Sequence, residues 1–367
     1  MTTFLQLHLL TSYPPACLNR DDLNRPKTAV MGGVPRLRIA SQSLKRAWRT
    51  SEVFKSALSG HIGTRTKNMG IAVYNKLLNG GISEEKAKSW ARAIAGKFGA
   101  LDSSTRDEPL NDCAIKQLAH FSPEEKALID ALTDTLIAEK REPLPDELAL
   151  LRKKHKAVDI ALFGRMLADA ALYDAEGACE VSHAITVHKV AVEDDYFTAI
   201  DDLNTRGAGH IGEQGFAAGL FYQYICINRD LLIENLSGDV HLANQTIKAL
   251  VEAAATVAPT GKQKSFASRA WASYILAEKG TRQPRSLSVA FLKPIKGDDM
   301  RQDAITQLED QRRRLDGVYY GWKEDDKVTA DKSAEKKPRA ANSLPSLFMN
   351  ELTEEGNLND LCNFLKS

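Results

Sequence analysis

The 367-residue chain has no apolar run near the roughly 18 residues that a membrane-spanning helix needs. Residues 3–10 (TFLQLHLL) are too short and too interrupted for a signal peptide, and no basic segment precedes them. A cytoplasmic protein with no membrane partner is the expectation. The five cysteines, Cys17, Cys113, Cys179, Cys226 and Cys362, are odd in number, scattered, and never in a C-x-x-C pair. This argues against a disulfide framework and a cysteine zinc site, and leaves free thiols. The histidines never form H-E-x-x-H, and His183 and His188 are spaced to face opposite sides of a strand, so no metal is expected. Phosphate-binding G-x-x-x-x-G-K-[ST] and the G-x-S-x-G elbow are missing. The string Gly207-Ala208-Gly209-His210-Ile211-Gly212 matches G-x-G-x-x-G but lies within an expected hairpin, which removes the dinucleotide reading. No cofactor and no internal repeat are expected.

Net charge is only +1, yet its distribution is uneven. Residues 1–50 hold eight Lys and Arg against two acids, and residues 258–285 hold six against one. Acids gather elsewhere, as in Glu193-Asp194-Asp195 and Asp201-Asp202. One side of the protein is thereby suited to a polyanion.

Alternation of Leu5, Leu7 and Leu9 with Gln6 and His8 predicts a strand over residues 3–10, ending before Pro14-Pro15. A long loop over 11–35 follows, then a short strand Arg36-Leu37-Arg38-Ile39 with both arginines on one face. Ser41 is placed to cap a helix whose Leu44, Ala47, Trp48, Phe54 and Leu58 share one side, opposite Gln42, Lys45, Arg46 and Arg49. Residues 60–178 read as a helical insertion. One helix there opens at Ser83-Glu84-Glu85 and closes at Gly99, and another opens on the capping box Ser122-Pro123-Glu124-Glu125. Strands are expected at Ser182–Val192 and Gly215–Asn228, joined by a glycine-rich turn as an extended hairpin. A helix over 240–257, a last strand over Ser286–Leu292 and a mobile charged loop over 323–339 complete the reading. Without the insertion, the order is β-α-β-β-α-β, that of ferredoxin-like and RNA-recognition (RRM-like) domains, an α+β class.

Two chemistries compete for the basic segments. In the first, Arg20, Arg25 and Lys27 wrap a phosphate backbone, the start of the helix at Ser41 offers backbone N–H groups, and Lys45, Arg46 and Arg49 extend the cationic surface. Tyr196-Phe197-Thr198, at the start of the hairpin, offers an aromatic to stack on a base. In the second, a metal-independent ribonuclease uses His8, His188 or Tyr13 with a nearby cation. A generic single-stranded RNA-binding protein is a third possibility.

Several segments, in order and at near-constant spacing, resemble the CasC-type backbone subunit of the type I-E CRISPR Cascade complex, of the RAMP superfamily. They are CLNRDD (Cys17–Asp22), RLRIASQSLKRAWR (Arg36–Arg49), VDIALFGRM (Val158–Met166), SHAITVH (Ser182–His188), YFTAIDDL (Tyr196–Leu203) and GFAAGLFYQYICIN. The resemblance implies an RRM-like, ferredoxin-like palm over 1–58, 179–190 and 223–367, a helical fingers insertion over 59–178, a β-hairpin thumb over 191–222 and a mobile charged loop near 323–340. It implies a non-catalytic guide-RNA (crRNA) binder. Further copies of the chain, about six, would polymerise along the guide with other Cascade subunits and present its bases to target DNA in antiviral defence. By the same resemblance Arg20, Lys27, Ser41, Gln42, Lys45, Arg46 and Arg49 grip phosphates and riboses, and Met166 wedges against a base. Phe197 and Thr198 contact the displaced position, and Lys262 and Lys264 form a further basic patch. Ala40 stands where a hydroxyl is more usual in that family.

Overall fold

In the computed structural model the described residues are 1–102, 110–200, 202–203, 208–321 and 344–366. The strands are β1 (Phe4–Ala16), β2 (Thr28–Met31), β3 (Val34–Ile39), β4 (Thr64–Thr66), β5 (Ala119–Phe121), β6 (Cys179–Val181), β7 (Ala184–Thr186), β8 (Glu193–Ile200), β9 (Ala208–Asn228), β10 (Ala272–Gly280) and β11 (Ser346–Asn350). The helices are α1 (Ser41–Arg49), α2 (Glu52–Ala57), α3 (Met69–Asn79), α4 (Glu84–Ala95), α5 (Pro123–Glu139), α6 (Val158–Phe163), α7 (Arg229–Asn235), α8 (Val240–Thr256), α9 (Gln263–Phe266), α10 (Met300–Tyr320) and α11 (Leu358–Lys366). The protein is thus α+β, and it divides into two compact units. No described helix is long and apolar enough to cross a membrane.

The first unit comprises Met1–Phe54, Glu180–Asn228 and Ile247–Ser367. Its sheet runs β11-β10-β1-β9-β7-β3-β2, with β8 and β6 also paired to β9. The central strand β1 is antiparallel to both β9 and β10. Burial on both faces explains its odd composition: Leu5, Leu7 and Leu9 fill one face, while Gln6 and His8 are equally buried on the other. There Glu278 accepts from Arg285 Nη1 and Arg312 Nε, each at 2.8 Å, and lies 3.3 Å from His8 Nε2. Tyr222 Oη meets His8 Nδ1 at 2.9 Å, and Tyr224 Oη donates to Gln6 at 2.8 Å. Burial would raise the Glu278 carboxyl, but the His8 contact and the two guanidinium charges hold it below the usual carboxylate range. Burial keeps His8 below the usual imidazole range, hence neutral.

The second unit comprises Lys55–Cys179 and Arg229–Thr246. Val73, Leu77, Trp90, Ile94, Phe98, Phe121, Ile129, Leu132 and Leu136 belong to its own hydrophobic core. Both halves of the capping box form at α5: the Ser122 hydroxyl accepts from Glu125 N, and the Glu125 carboxylate accepts from Ser122 N.

Several local expectations are corrected. β1 does not stop before Pro14-Pro15; both prolines lie exposed where the β1–β9 register shifts between Tyr13 and Ala16, so their missing donors break no ladder. The expected loop over 11–35 contains β2, which pairs with β3 across Gly32-Gly33, both at positive φ (61° and 76°). A Cβ at Gly32 would sit 1.7 Å from Leu292 O, so only glycine fits. Arg36 and Arg38 share a face of β3, but only Arg38 is partly exposed. Arg36 is fully buried and donates to the Thr186 and Phe291 carbonyls at 2.9 and 2.8 Å. Within Ser182–Val192, β7 spans only Ala184–Thr186. Gly209 and Gly212 lie inside β9 rather than in the turn; Gly207 and the charged segment 323–340 fall outside the described residues. Ser286–Leu292 is not a strand: Ser288–Phe291 is a 3₁₀ turn that buries Leu287 and Phe291, and β10 takes the fourth position. α4 stops at Gly96, not Gly99.

Candidate nucleic-acid interface

The loop after β1 closes on itself. Lys27 N donates to Asn19 O at 2.8 Å, and Asp21 N to Arg25 O at 2.9 Å. Asp21 Oδ1 accepts from Leu23 N and Arg25 N at 3.0 and 2.9 Å, which commits that carboxylate to the turn. The result is a stiff loop with Arg20 exposed, its Nη1 bonded to Asn24 Oδ1 at 3.2 Å. Asn19 Oδ1 also accepts from Ala40 N at 2.8 Å, tying the loop to the start of α1.

At that helix start the expected geometry changes. Ser41 is the first helical residue, not the cap; Ala40 holds the cap position and supplies no side-chain bond. Ser41 N donates to His183 Nδ1 at 3.0 Å, and Ser43 N to Ala40 O at 3.0 Å. Backbone donors expected to face phosphate are therefore largely taken within the chain, and the cationic character comes from side chains. Burial, then Arg38 and Lys27, hold His183 below the usual imidazole range, as its acceptor role requires. Gln42 and Arg46 are exposed; Ser41, Lys45 and Arg49 are half-buried, and Lys45 and Arg49 each engage other residues of the chain.

The start of the second basic segment comes to the same place, whereas its Arg285 is spent on Glu278 in the core. Gly261 lies so close to the first loop that a Cβ would be 2.3 Å from Leu18 O. Next to it, Lys262 Nζ donates to Gln214 Oε1 of β9 at 3.0 Å. Arg20 and Lys262 both act on the Cys17 thiol, whose dominant perturbation is burial, upward. Lys264 is exposed on α9, and Phe266 beside it sets its ring 6.2 Å from that of Phe216 in β9. Arg25 pairs with Asp194 of β8 at 2.9 Å. Arg20, Arg25, Lys27, Lys262 and Lys264 thus gather at the foot of one hairpin, and Arg38 N donates to Lys27 O beside them. Arg38, Asn19 and His183 were not among the expected site residues, although the segments CLNRDD, RLRIASQSLKRAWR and SHAITVH contain them.

Strands β8 and β9 pair from Glu193↔Phe216 to Ile200↔Ala208, and every β8 side chain is exposed. Phe197 stands opposite Gly212, and its ring lies over that glycine, where a Cβ would come within 2.6 Å of it. The His210 ring is 6.0 Å away. Alternation puts Thr198 on the opposite face, across from Ile211. Glu193, Asp194, Asp195 and Glu213 flank these positions, so the arm offers a ring rather than a cation.

Met166, in the second unit, is 80% exposed. Its mount is rigid, because the neighbouring Arg165 is buried and donates through Nη1 to both Glu125 oxygens at 2.9 and 2.8 Å. Arg165 Nη2 also reaches the Arg152 and Tyr173 carbonyls, each at 3.0 Å. A linear thioether held out this way can press against a base face. The residues considered for acid–base cleavage do not meet on this surface: His8 and Tyr13 are buried, and His188 accepts from Leu220 N at 3.1 Å.

These features define an α+β protein with a basic surface gathered at the foot of an exposed hairpin. The chain belongs to the CT1975-like protein family, which it matches over residues 5–355. It is similar to a chain of a "CRISPR RNA-guided surveillance complex, pre-nicking", at 26% identity and TM-score 0.77, with 99% of each chain covered. It is also similar to a chain of a "CRISPR RNA-guided surveillance complex", at 25% identity and TM-score 0.66, over 86% of this chain and 88% of that one. No curated protein matches it by sequence.

Proposed function

We propose that this chain is a non-catalytic, CasC-type backbone subunit of a type I-E CRISPR Cascade surveillance complex, and that it holds the guide RNA by its sugar-phosphate chain. On this reading further copies polymerise along the guide, beside other Cascade subunits, and the bases remain free to pair with target DNA. The observation that carries it is the meeting of two basic segments, about 240 residues apart in sequence, around Cys17 at the foot of the β8–β9 hairpin. Family membership and the two surveillance-complex relatives support the same reading.

The sheet order β10-β1-β9-β7, with α1 and α8 as the intervening helices in sequence, supports a ferredoxin-like, RRM-like palm. The second unit is then the fingers and the β8–β9 hairpin the thumb. Arg20, Lys27, Gln42, Arg46, Lys262 and Lys264 serve the phosphates and riboses, with Ser41, Lys45 and Arg49 on the half-buried side of the same helix. Phe197, Thr198 and Met166 serve displaced bases.

Fluorescence anisotropy with mixed-sequence single-stranded RNA, titrated over a range of salt, tests this. Wild type should lose affinity linearly in log salt. Lys27→Ala with Lys262→Ala should reduce that slope by about 0.7 per lost contact and weaken all sequences alike. Absence of salt-dependent RNA binding by the wild type would overturn the proposal.

A further inference from the structure

Trp271 lies just before β10 and is 74% exposed, whereas Trp48 and Trp90 are buried. Strand register fixes its neighbourhood. Ala272 pairs with Thr11, the last β1–β10 pair, while β1 continues beyond it against β9 alone. The segment that leads to Trp271 starts from Gly261, packed on the Cys17 and Leu18 backbone further along the same chain. Residues 261–271 therefore run beside the second half of β1, from the Lys262 position back to the start of β10. That path is tightly wound: Lys262 and Ala267, at the two ends of α9, both have positive φ (52° and 48°) without being glycine. Within the segment itself the charge is of one sign. Between Glu252 and Glu278 the sequence contains Lys262, Lys264 and Arg269 and no acid. Lys264, Arg269 and Trp271 are all exposed.

We infer that Trp271 is a stacking platform for a base of single-stranded RNA, with Arg269 and Lys264 holding the adjoining phosphates. An indole has no charge to steer with, but it stacks on any base, and flanking cations retain the strand against it. The turn after β11 brings Glu351 near the start of β10, where its N donates to Ser273 O at 2.9 Å, but its carboxylate is paired with Arg301 at 3.1 Å; the cations of the segment itself favour an anionic partner. The inference rests on the RNA-binding reading and adds a sequence-independent, salt-insensitive share to the affinity.

The full chain is titrated with a short mixed-sequence RNA and with the same RNA carrying abasic positions, across a salt series. Trp271→Ala should weaken binding to the intact RNA about 5- to 100-fold with the salt slope unchanged, and Trp271→Phe should retain most of the affinity. Abasic RNA should bind wild type and Trp271→Ala nearly alike. Wild-type binding unaffected by Trp271→Ala would overturn the inference and leave the proposed function standing. Loss of self-association with RNA affinity intact would also overturn it, making the indole a protein contact. Failure of wild type to bind RNA at all would sink the underlying reading.

Discussion

Glu125→Gln tests how the second unit holds Met166. The native carboxylate accepts four hydrogen bonds from three donors: Oε2 takes Ser122 N at 2.9 Å, Oε1 takes Arg152 N at 2.8 Å, and both take Arg165 Nη1. Glutamine keeps the shape but turns one oxygen into a donor, which must then face either Ser122 N or Arg152 N as well as the guanidinium. Opening a buried ion pair by neutralising one member costs about 3–5 kcal/mol, and an orphaned buried donor adds about 1–3 kcal/mol. Arg165 retains its carbonyl partners at Tyr173 and Arg152, which offsets part of this. The net expectation is a loss of about 4–6 kcal/mol, a large share of the 5–15 kcal/mol of a typical domain. Urea unfolding followed by circular dichroism measures it. Removing both charges, as Glu125→Leu with Arg165→Met, should cost less than Glu125→Gln alone, since no buried charge is left without a counter-charge. A single-variant loss below about 1 kcal/mol, or a double variant less stable than the single, would refute this account.

Two further outcomes follow from the first unit. Gly32→Ala should destabilise by about 2 kcal/mol or more, because it demands both a left-handed alanine and retreat of the Leu292 carbonyl; thermal denaturation reads this directly, with Gly33→Ala, which meets no atom, as the milder comparison. Glu278 is held below the usual carboxylate range, so its contribution to stability is complete above about pH 5 and is lost as pH falls through its lowered value. Glu278→Gln should cost about 3–5 kcal/mol at pH 7 and flatten the acid limb of the stability curve, both seen by urea unfolding at stepped pH.

The parts of the fold legible in sequence were those set by local rules. Ser122 and Glu125 announce an α5 start because a capping box needs only neighbours; that Glu125 also neutralises Arg165, 40 residues on, has no local signature. β10 was missed because it is buried on both faces, so Ala272–Gly280 lacks alternation, while Leu287 and Phe291 offered an apolar spacing that a short turn satisfies equally well. At the surface, loop and helix cations could be read from composition and from the family resemblance. The partner that occupies the helix start could not: Ser41 and His183 are 142 positions apart and meet only through the pairing of β3 with β7.

All five thiols are buried, and burial pushes that of Cys226 up to about 11. The native exterior is therefore silent to maleimides and other thiol-directed reagents at neutral pH. A single cysteine introduced by Lys264→Cys or Phe197→Cys would be the sole accessible handle on the molecule. Dyes, spin labels or crosslinkers can then report on the arm and the basic segment without first stripping native cysteines from the core.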